Sequence, residues 1–308
     1  MKKVFIDGSA GTTGLRIHER LSERKDIELI TLSDDKRKDA LYRKEAINSA
    51  DIAFLCLPDD AAREAVSFIE NDTTVVIDTS TAHRTDESWA YGFPELSEKH
   101  LKRIKSSHRI AVPGCHASGF IALIYPLIEK GVVSPDSAFS CFSLTGYSGG
   151  GKKMIGEYES DERDALLSAP RIYGLTQQHK HLKEMKAVTG ISDFPVFVPV
   201  VGDFYSGMAV TVPLFGKDIN GSIDDIRKIY KEKYNWGMVG FKDSFDQGGF
   251  LSAASFSFKD TMTVGVYGNE ERMTLEAVYD NLGKGASGAA IECLNIVLGL
   301  APSYGLQE

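Results

Sequence analysis

The chain has 308 residues, enough for two domains with separate cores, and its 43% hydrophobic and 25% charged composition excludes a disordered or fibrous class. A net charge of −8 argues against nucleic acid as the main partner, because a phosphate backbone needs a concentrated basic face. Apolar stretches such as 120–128 are too short to span a bilayer, and the N-terminus lacks the features of a signal peptide, so a cytoplasmic protein with no membrane partner is expected.

Val4-Phe5-Ile6 forms a short apolar strand, and helical spacing follows over about 13–23. Between them, Asp7-Gly8-Ser9-Ala10-Gly11-Thr12-Thr13-Gly14 sets glycines three apart. A pyrophosphate can rest on a helix N-terminus only where no Cβ intrudes. Gly8, Ser9, Gly11, Thr12, Thr13 and Gly14 are therefore the candidate dinucleotide cradle. A tight turn without a ligand would use the same glycines, but the flanking strand and helix favour the cofactor. The next alternating run, 27–32, meets a charged turn. There a carboxylate would favour the NAD ribose and basic residues a 2′-phosphate. Ser33, with Lys36, Arg37 and Lys38 behind it, points to NADP through Ser33 and Arg37, while Asp34 and Asp35 pull the other way.

Residues 50–57 are nearly continuous apolar, as in a strand buried on both faces. Pro58, a further candidate cofactor contact, ends that run, and helical spacing resumes over 59–69. Residues 74–78 and 109–112 are two more buried strands, so the first third implies a doubly wound parallel sheet with right-handed crossovers. Ser80 and Arg84 follow one of these strands, at the carboxyl edge where open α/β sheets bind ligands. The Arg84 guanidinium suits a phosphate or carboxylate, or equally a surface ion pair.

The pattern changes after Gly114. One helix is expected from Cys115 to about Lys130, loosened at Pro126 and stopped at Gly131. Longer strands are expected at 138–145, 196–201, 208–215, 252–258 and 262–267, with a helix capped by Ser222 among them. This reads as an α+β domain with a mixed or antiparallel sheet. The last apolar helix, 287–300, suits a return to the first domain. The expected domains are residues 1–114 with 287–308, and residues 115–286.

The four cysteines are far apart and form no CxxC pair, which argues against a zinc site or a disulfide framework. Cys56, Cys141 and Cys293 suit buried packing. Cys115 differs: Pro113 and Gly114 end a strand and place its thiol in the first turn of a helix. Unpaired N–H groups there lower a thiol's pKa and can hold an oxyanion. A thiolate that forms acyl intermediates needs a proton-transfer partner. In the run 178–184, His181 and Glu184 share one helical face, so the carboxylate can orient the imidazole. His179, two residues back, is expected to point elsewhere. His116 is a rival base, expected to point away from its neighbour. The H-x-H spacing suits metal ligands, but no third ligand cluster accompanies it and no metal is expected. Ser148 and Gly149 lie in a glycine run that lets backbone approach a substrate or cofactor, and Asn281 is placed to contact a nicotinamide amide.

Taken in order, these segments resemble the N-acetyl-γ-glutamyl-phosphate reductases, nearest the shorter type 2 subfamily, over nearly the whole chain. Pro113-Gly114-Cys115 and the run 281–286 are shared with the related aspartate-semialdehyde dehydrogenases, whereas the H-x-H-x-x-E of 179–184 points to the first branch. Two departures stand out. Val112 and His116 flank Pro-Gly-Cys where the family commonly has Asn and an aromatic residue, and Ser80-Thr81-Ala82-His83-Arg84 replaces Ser-Ala-Asp-Phe-Arg. The resemblance implies a Rossmann-like NADP-binding domain, an α+β catalytic and dimerisation domain with a mixed sheet, and a homo-oligomer, dimer or tetramer. It implies NADPH-dependent reduction of an acyl phosphate, N-acetyl-γ-glutamyl phosphate, through a Cys115 thioester in arginine biosynthesis. His181 would be the acid and base, Glu184 its orienting partner, and Ser80, Arg84, Ser148 and His179 would hold substrate. The alternatives are an aspartyl- or aminoadipyl-phosphate reductase with the same chemistry, and a nonenzymatic NADP sensor in which Cys115 is inert.

Overall fold

The computed structural model describes residues 1–308, and contacts divide them into two units: Met1–Pro113 with Ala286–Leu306, and Gly114–Gly285 with Gln307–Glu308. In the first unit the elements are β1 (Lys2–Asp7), α1 (Thr12–Ser22), β2 (Ile27–Ile30), α2 (Ala40–Ser49), β3 (Ile52–Leu55), α3 (Asp59–Ser67), β4 (Val75–Asp78), β5 (Ala90–Tyr91), α4 (Glu98–Ser106) and β6 (Arg109–Ala111). The six strands pair in the order β2-β1-β3-β4-β6-β5, all parallel.

Strand alternation decides what covers each face. Val4, Ile6, Ile52 and Phe54 pack with Ile17 and Leu21 of α1, while Phe5, Ala53 and Leu55 pack with Ala46 and Ile47 of α2. Burial on both faces is why these strands read as unbroken apolar runs. Asp39 and Ser97 cap α2 and α4 by accepting the N–H groups of Leu41 and His100. The C-terminal helix, Gly288–Val297, is buried almost all round and joins the α1 side of the core.

The second unit runs through α5 (Cys115–Glu129), β7 (Ser140–Gly146), α6 (Gly151–Tyr158), β8 (Arg171–Ile172), α7 (His181–Thr189), β9 (Val196–Gly202), β10 (Met208–Phe215), α8 (Ile223–Lys233), β11 (Val239–Phe241), β12 (Met262–Gly268) and β13 (Arg272–Tyr279). Its seven strands form a mixed sheet in the order β11-β12-β13-β10-β7-β9-β8. One face is covered by α5, which lies so close to β10 that a Cβ at Gly119 would come within 2.6 Å of Val210. The other face leaves Phe142, Val196 and Phe215 exposed.

Pro126 sits inside α5 without ending it. Proline has no N–H, so the carbonyl four residues back, that of Ala122, loses its helical donor. The Tyr234 hydroxyl supplies one at 2.5 Å, and the Tyr230 hydroxyl donates to Leu123 O at 2.6 Å. Both phenols come from the region of α8, which starts with the expected Ser222 cap, here a full capping box with Asp225. Tyr234→Phe should cost about 1–3 kcal/mol, the usual penalty for a buried carbonyl left without a donor, as read by urea unfolding.

One expected strand is absent. Residues 252–258 form successive turns, with the N–H groups of Ser255, Ser257 and Lys259 bonded to carbonyls three residues back and Phe258 at φ +67. β12, the strand that follows, pairs with β11 and β13, and 252–258 pairs with no strand, so its alternating Ser and Phe residues close turns instead.

Candidate active site

The glycine loop joins β1 to α1, and its glycines differ in what they must avoid. A Cβ at Gly8, whose φ is +86, would strike Cys56 O at 2.3 Å, and one at Gly14 would strike Gly8 O at 2.3 Å. The fold itself demands both. Gly11, the N-cap of α1, would meet nothing closer than 3.5 Å, so its missing side chain leaves room for something else. Beside it the Thr12 hydroxyl is buried with no hydrogen-bond partner. A donor without an acceptor at a helix N-terminus fits a phosphate oxygen. Gly8, Ser9, Leu32, Arg37 and Lys38 line a cavity of about 490 Å³, as do Leu57 and Ala61 on either side of Pro58. These residues fit the adenosine half of a dinucleotide. Gly11→Ala should leave the melting temperature nearly unchanged and weaken NADPH binding at least about tenfold, whereas Gly8→Ala should destabilise the chain itself. Thermal melts and NADPH fluorescence titrations read the two effects.

Ser33 and Arg37 bracket an exposed turn in which Arg37 lies 3.4 Å from Asp34, and a Ser33 hydrogen bond holds the Asp35 carboxyl below its ordinary range. Beyond β4, the Ser80 hydroxyl donates to Asp78 at 2.7 Å and accepts the Ala82 N–H at 3.1 Å, which fixes its orientation within the turn. Arg84 donates to Val112 O at 2.8 Å and to Thr79 O at 2.9 Å, tying the ends of β4 and β6 together. His83, one of the departures, meets Asp78 at 2.6 Å and stacks on Trp89.

In the second unit Cys115 is half-buried at the first residue of α5. Three neighbours, Glu184, Tyr279 and Gly285, surround this start of the helix. Glu184 Oε1 accepts the Gly114 N–H at 2.8 Å. The Tyr279 hydroxyl donates to Cys115 O at 2.5 Å and accepts the Gly119 N–H at 3.0 Å. Finally, a Cβ at Gly285 would stand 3.1 Å from Cys115 Cβ, so the segment after β13 passes directly over the stem of the cysteine. Cys56 and Cys141 are different: burial pushes the Cys56 thiol up to about 12 and the Cys141 thiol further still.

Three imidazoles gather nearby. His181 opens α7 and is buried, with its ring centroid 4.8 Å from His179 and 5.5 Å from His116. His179 was expected to point elsewhere, and it does not. The helix begins only at His181, so the two-residue offset is not a helical one, and His179 Nδ1 accepts the His181 N–H at 3.2 Å. His116 is fully engaged: Nδ1 meets Ser143 Oγ at 2.7 Å and Nε2 meets Tyr173 Oη at 2.6 Å. Burial, aided by His179, pushes its pKa down to about 3, and burial pushes His179 down to about 4. A buried imidazole with both nitrogens occupied is no general base, which leaves His179 and His181 as the candidates. The three rings with their acidic neighbours form no metal-ligand set. Tyr173, Tyr279 and Ser143 carry no motif, and only the folded chain brings them to the neighbourhood of Cys115.

The His116 value sets a sign. Its folded pKa lies below the unfolded value of about 6.5, so on acidification the unfolded chain takes the proton first. The associated stability is complete above that pH and is lost as the pH falls toward 3. Below about pH 6, wild type should lose stability faster than His116→Phe by a slope approaching about 1.4 kcal/mol per pH unit, measured by urea melts.

Ser148 and Gly149 lie with Asn281. Asn281 Nδ2 donates to Ser148 Oγ at 3.0 Å, and its Oδ1 accepts the Gly207 N–H at 2.9 Å. A Cβ at Gly149 would stand 3.3 Å from that Nδ2. Asn281 thus holds two loops together within this unit.

Comparison with known proteins adds the following. Residues 3–104 match the family model of the semialdehyde dehydrogenase NAD binding domain, and residues 115–281 that of the semialdehyde dehydrogenase dimerisation domain. Over 318 residues the chain is 43% identical to N-acetyl-gamma-glutamyl-phosphate reductase 2 of Nostoc sp., covering 99% of each. It is 44% identical to the N-acetyl-gamma-glutamyl-phosphate reductase of Chelativorans sp., covering 96% of this chain and 98% of that one. Among solved structures, aspartate semialdehyde dehydrogenase II from Vibrio cholerae, complexed with ASA, aligns with a TM-score of 0.72 at 15% identity over 97% of this chain and 98% of that one. Aspartate semialdehyde dehydrogenase with NADP from Candida albicans aligns with a TM-score of 0.69 at 16% identity over 98% and 99%. At such identities the structures speak for the fold alone.

Proposed function

The chain belongs to the N-acetyl-γ-glutamyl-phosphate reductase family of the semialdehyde dehydrogenases, and on that premise we propose that it uses NADPH to convert N-acetyl-γ-glutamyl phosphate into N-acetyl-L-glutamate 5-semialdehyde and phosphate, a step of arginine biosynthesis. One observation carries the assignment of residues: a half-buried thiol on the first turn of α5, with a histidine pair in the same unit.

Cys115 gives its proton to His181, and the thiolate attacks the acyl carbon. The S–C bond forms as the C–O bond to phosphate breaks, and phosphate leaves with that electron pair. NADPH, when bound, supplies the hydride that reduces the acyl carbon. His181 then returns its proton to the oxygen of the thiohemiacetal, with N–H groups at the start of α5 steadying the charge. In the last step the same imidazole takes that proton back as the C–S bond breaks and the aldehyde leaves, then passes it to the departing thiolate, which restores the thiol. Glu184 contributes by holding the turn ahead of Cys115 through the Gly114 N–H.

Gly11, Thr12 and the start of α1 would hold the pyrophosphate, and Ser33 with Arg37 the 2′-phosphate. Arg84 is the proposed partner of the substrate's phosphate, with Ser80, Ser148 and His179 completing the set. The exposed face of the mixed sheet, with Phe142, Val196 and Phe215, suits pairing with a second copy in a dimer or tetramer. A cytoplasmic location goes with this reading, and no helix is long and apolar enough to cross a membrane.

The test is phosphate-dependent NADP reduction with three semialdehydes: N-acetyl-glutamate, aspartate and aminoadipate. Turnover should favour the acetylated glutamate compound by orders of magnitude. Preference for either of the others would replace this substrate with its rival.

A further inference from the structure

His116 occupies the position after the nucleophile, yet the mechanism above gives it nothing to do. It is 3% exposed, and each ring nitrogen has a hydroxyl partner, Ser143 Oγ of β7 and Tyr173 Oη just beyond β8. A neutral imidazole has one N–H and one lone pair, so it passes hydrogen-bond polarity from one side to the other. When Ser143 donates to Nδ1, the Nε2–H donates to Tyr173 Oη, and the phenol's own hydrogen is left for a further acceptor. The phenol keeps that hydrogen, because burial and the charge on Cys115 push its pKa well above the ordinary tyrosine range. Tyr173 also packs edge-on against His179, 5.9 Å between centroids, and so belongs to the cluster beside the nucleophile.

We propose that His116 is a positioning residue: a buried neutral relay between Ser143 and Tyr173 that aims the Tyr173 hydroxyl at the group undergoing acyl transfer. Packing alone would not need a polar ring here. Phe120, one turn along α5, fills buried space as hydrocarbon, whereas His116 brings two polar atoms into the interior and finds a partner for each. The relay works through Tyr173, so removing Tyr173 must remove whatever His116 contributes.

This inference rests on the proposed acyl-transfer reading, and the test separates the two. Kinetic constants are measured for wild type, His116→Phe, Tyr173→Phe and the double variant, on whichever acyl substrate wild type turns over. If that substrate is not the acetylated glutamate compound, the function proposed above fails while the cycle can still be run. His116→Phe and Tyr173→Phe should each lower kcat roughly tenfold or more, with the KM for NADP changed less than about twofold. The double variant should be no slower than Tyr173→Phe alone. Multiplying losses in the double variant, or full kcat in His116→Phe, would overturn the relay. Should His116→Phe fail to fold, Ser143→Ala takes its place: a several-fold loss that vanishes in the Tyr173→Phe background supports the relay, and a loss of equal size in both backgrounds sinks it.

Discussion

Cys115→Ala should fold, bind NADPH with unchanged affinity and lose on the order of 10⁴-fold or more in turnover, as expected when a covalent nucleophile is removed. Intact folding follows from where the residue is held. Its anchors are backbone contacts: the Gly114 N–H on Glu184, and the carbonyl of residue 115 beneath the Tyr279 hydroxyl. Alanine keeps the Cβ that the Gly285 segment packs against and deletes only the sulfur. Unchanged affinity follows because the cradle for the dinucleotide belongs to the first unit and contains no cysteine from α5. The measurements are circular dichroism, NADPH fluorescence titration and steady-state turnover, with mass spectrometry of wild type mixed with substrate to detect the acyl adduct. An alanine variant that still turns over at a tenth of the wild-type rate would remove Cys115 from the chemistry.

His181→Asn should cost about 10²–10⁴-fold in kcat, the usual worth of a positioned proton-transfer group, with a much smaller change in NADPH affinity. Two competitors must be weighed. His116 is eliminated by its two hydroxyl partners and by burial that keeps it neutral down to about pH 3. His179 stays in contention, since its ring lies 4.8 Å from that of His181. Its Nδ1, however, accepts the His181 N–H and so acts on the start of α7. His179→Asn should therefore lower stability by about 1 kcal/mol, as loss of a cap does, and turnover by less than tenfold. If His179→Asn proves the more damaging of the two in kcat, the roles exchange.

The features legible in the sequence are those that a few neighbouring residues encode. The glycine loop, the Pro-Gly-Cys turn and the Ser222 cap each occupy fewer than ten residues, and each stands where the local pattern puts it. Two-sided burial made β3, β4 and β6 easy to find, whereas β2 was read from its alternation and the two-residue β5 was not expected. Features that depend on a distant partner stayed hidden. The run 252–258 has strand-like alternation but pairs with no strand, while β13, which alternates polar and apolar residues over 272–277, passed unnoticed. The orientation of His179 was missed because helical geometry was extended one turn too early. Tyr173 and Tyr279 gave no signal at all, since an isolated tyrosine looks the same whether it fills space or holds a distant backbone or side chain in place.

The support beneath the Cys115 sulfur is assembled from parts of the chain made after it. Glu184, Tyr230, Tyr234 and Tyr279 all lie C-terminal to it, and each bonds a backbone group in or just ahead of the helix carrying Cys115. A growing polypeptide thus emerges from the ribosome with its cysteine long before the pieces that seat it. The thiol acquires its working environment only after residue 279 has been made. An unfinished product is consequently a poor catalyst, and whatever guards a newly made thiol against oxidation must act across that interval.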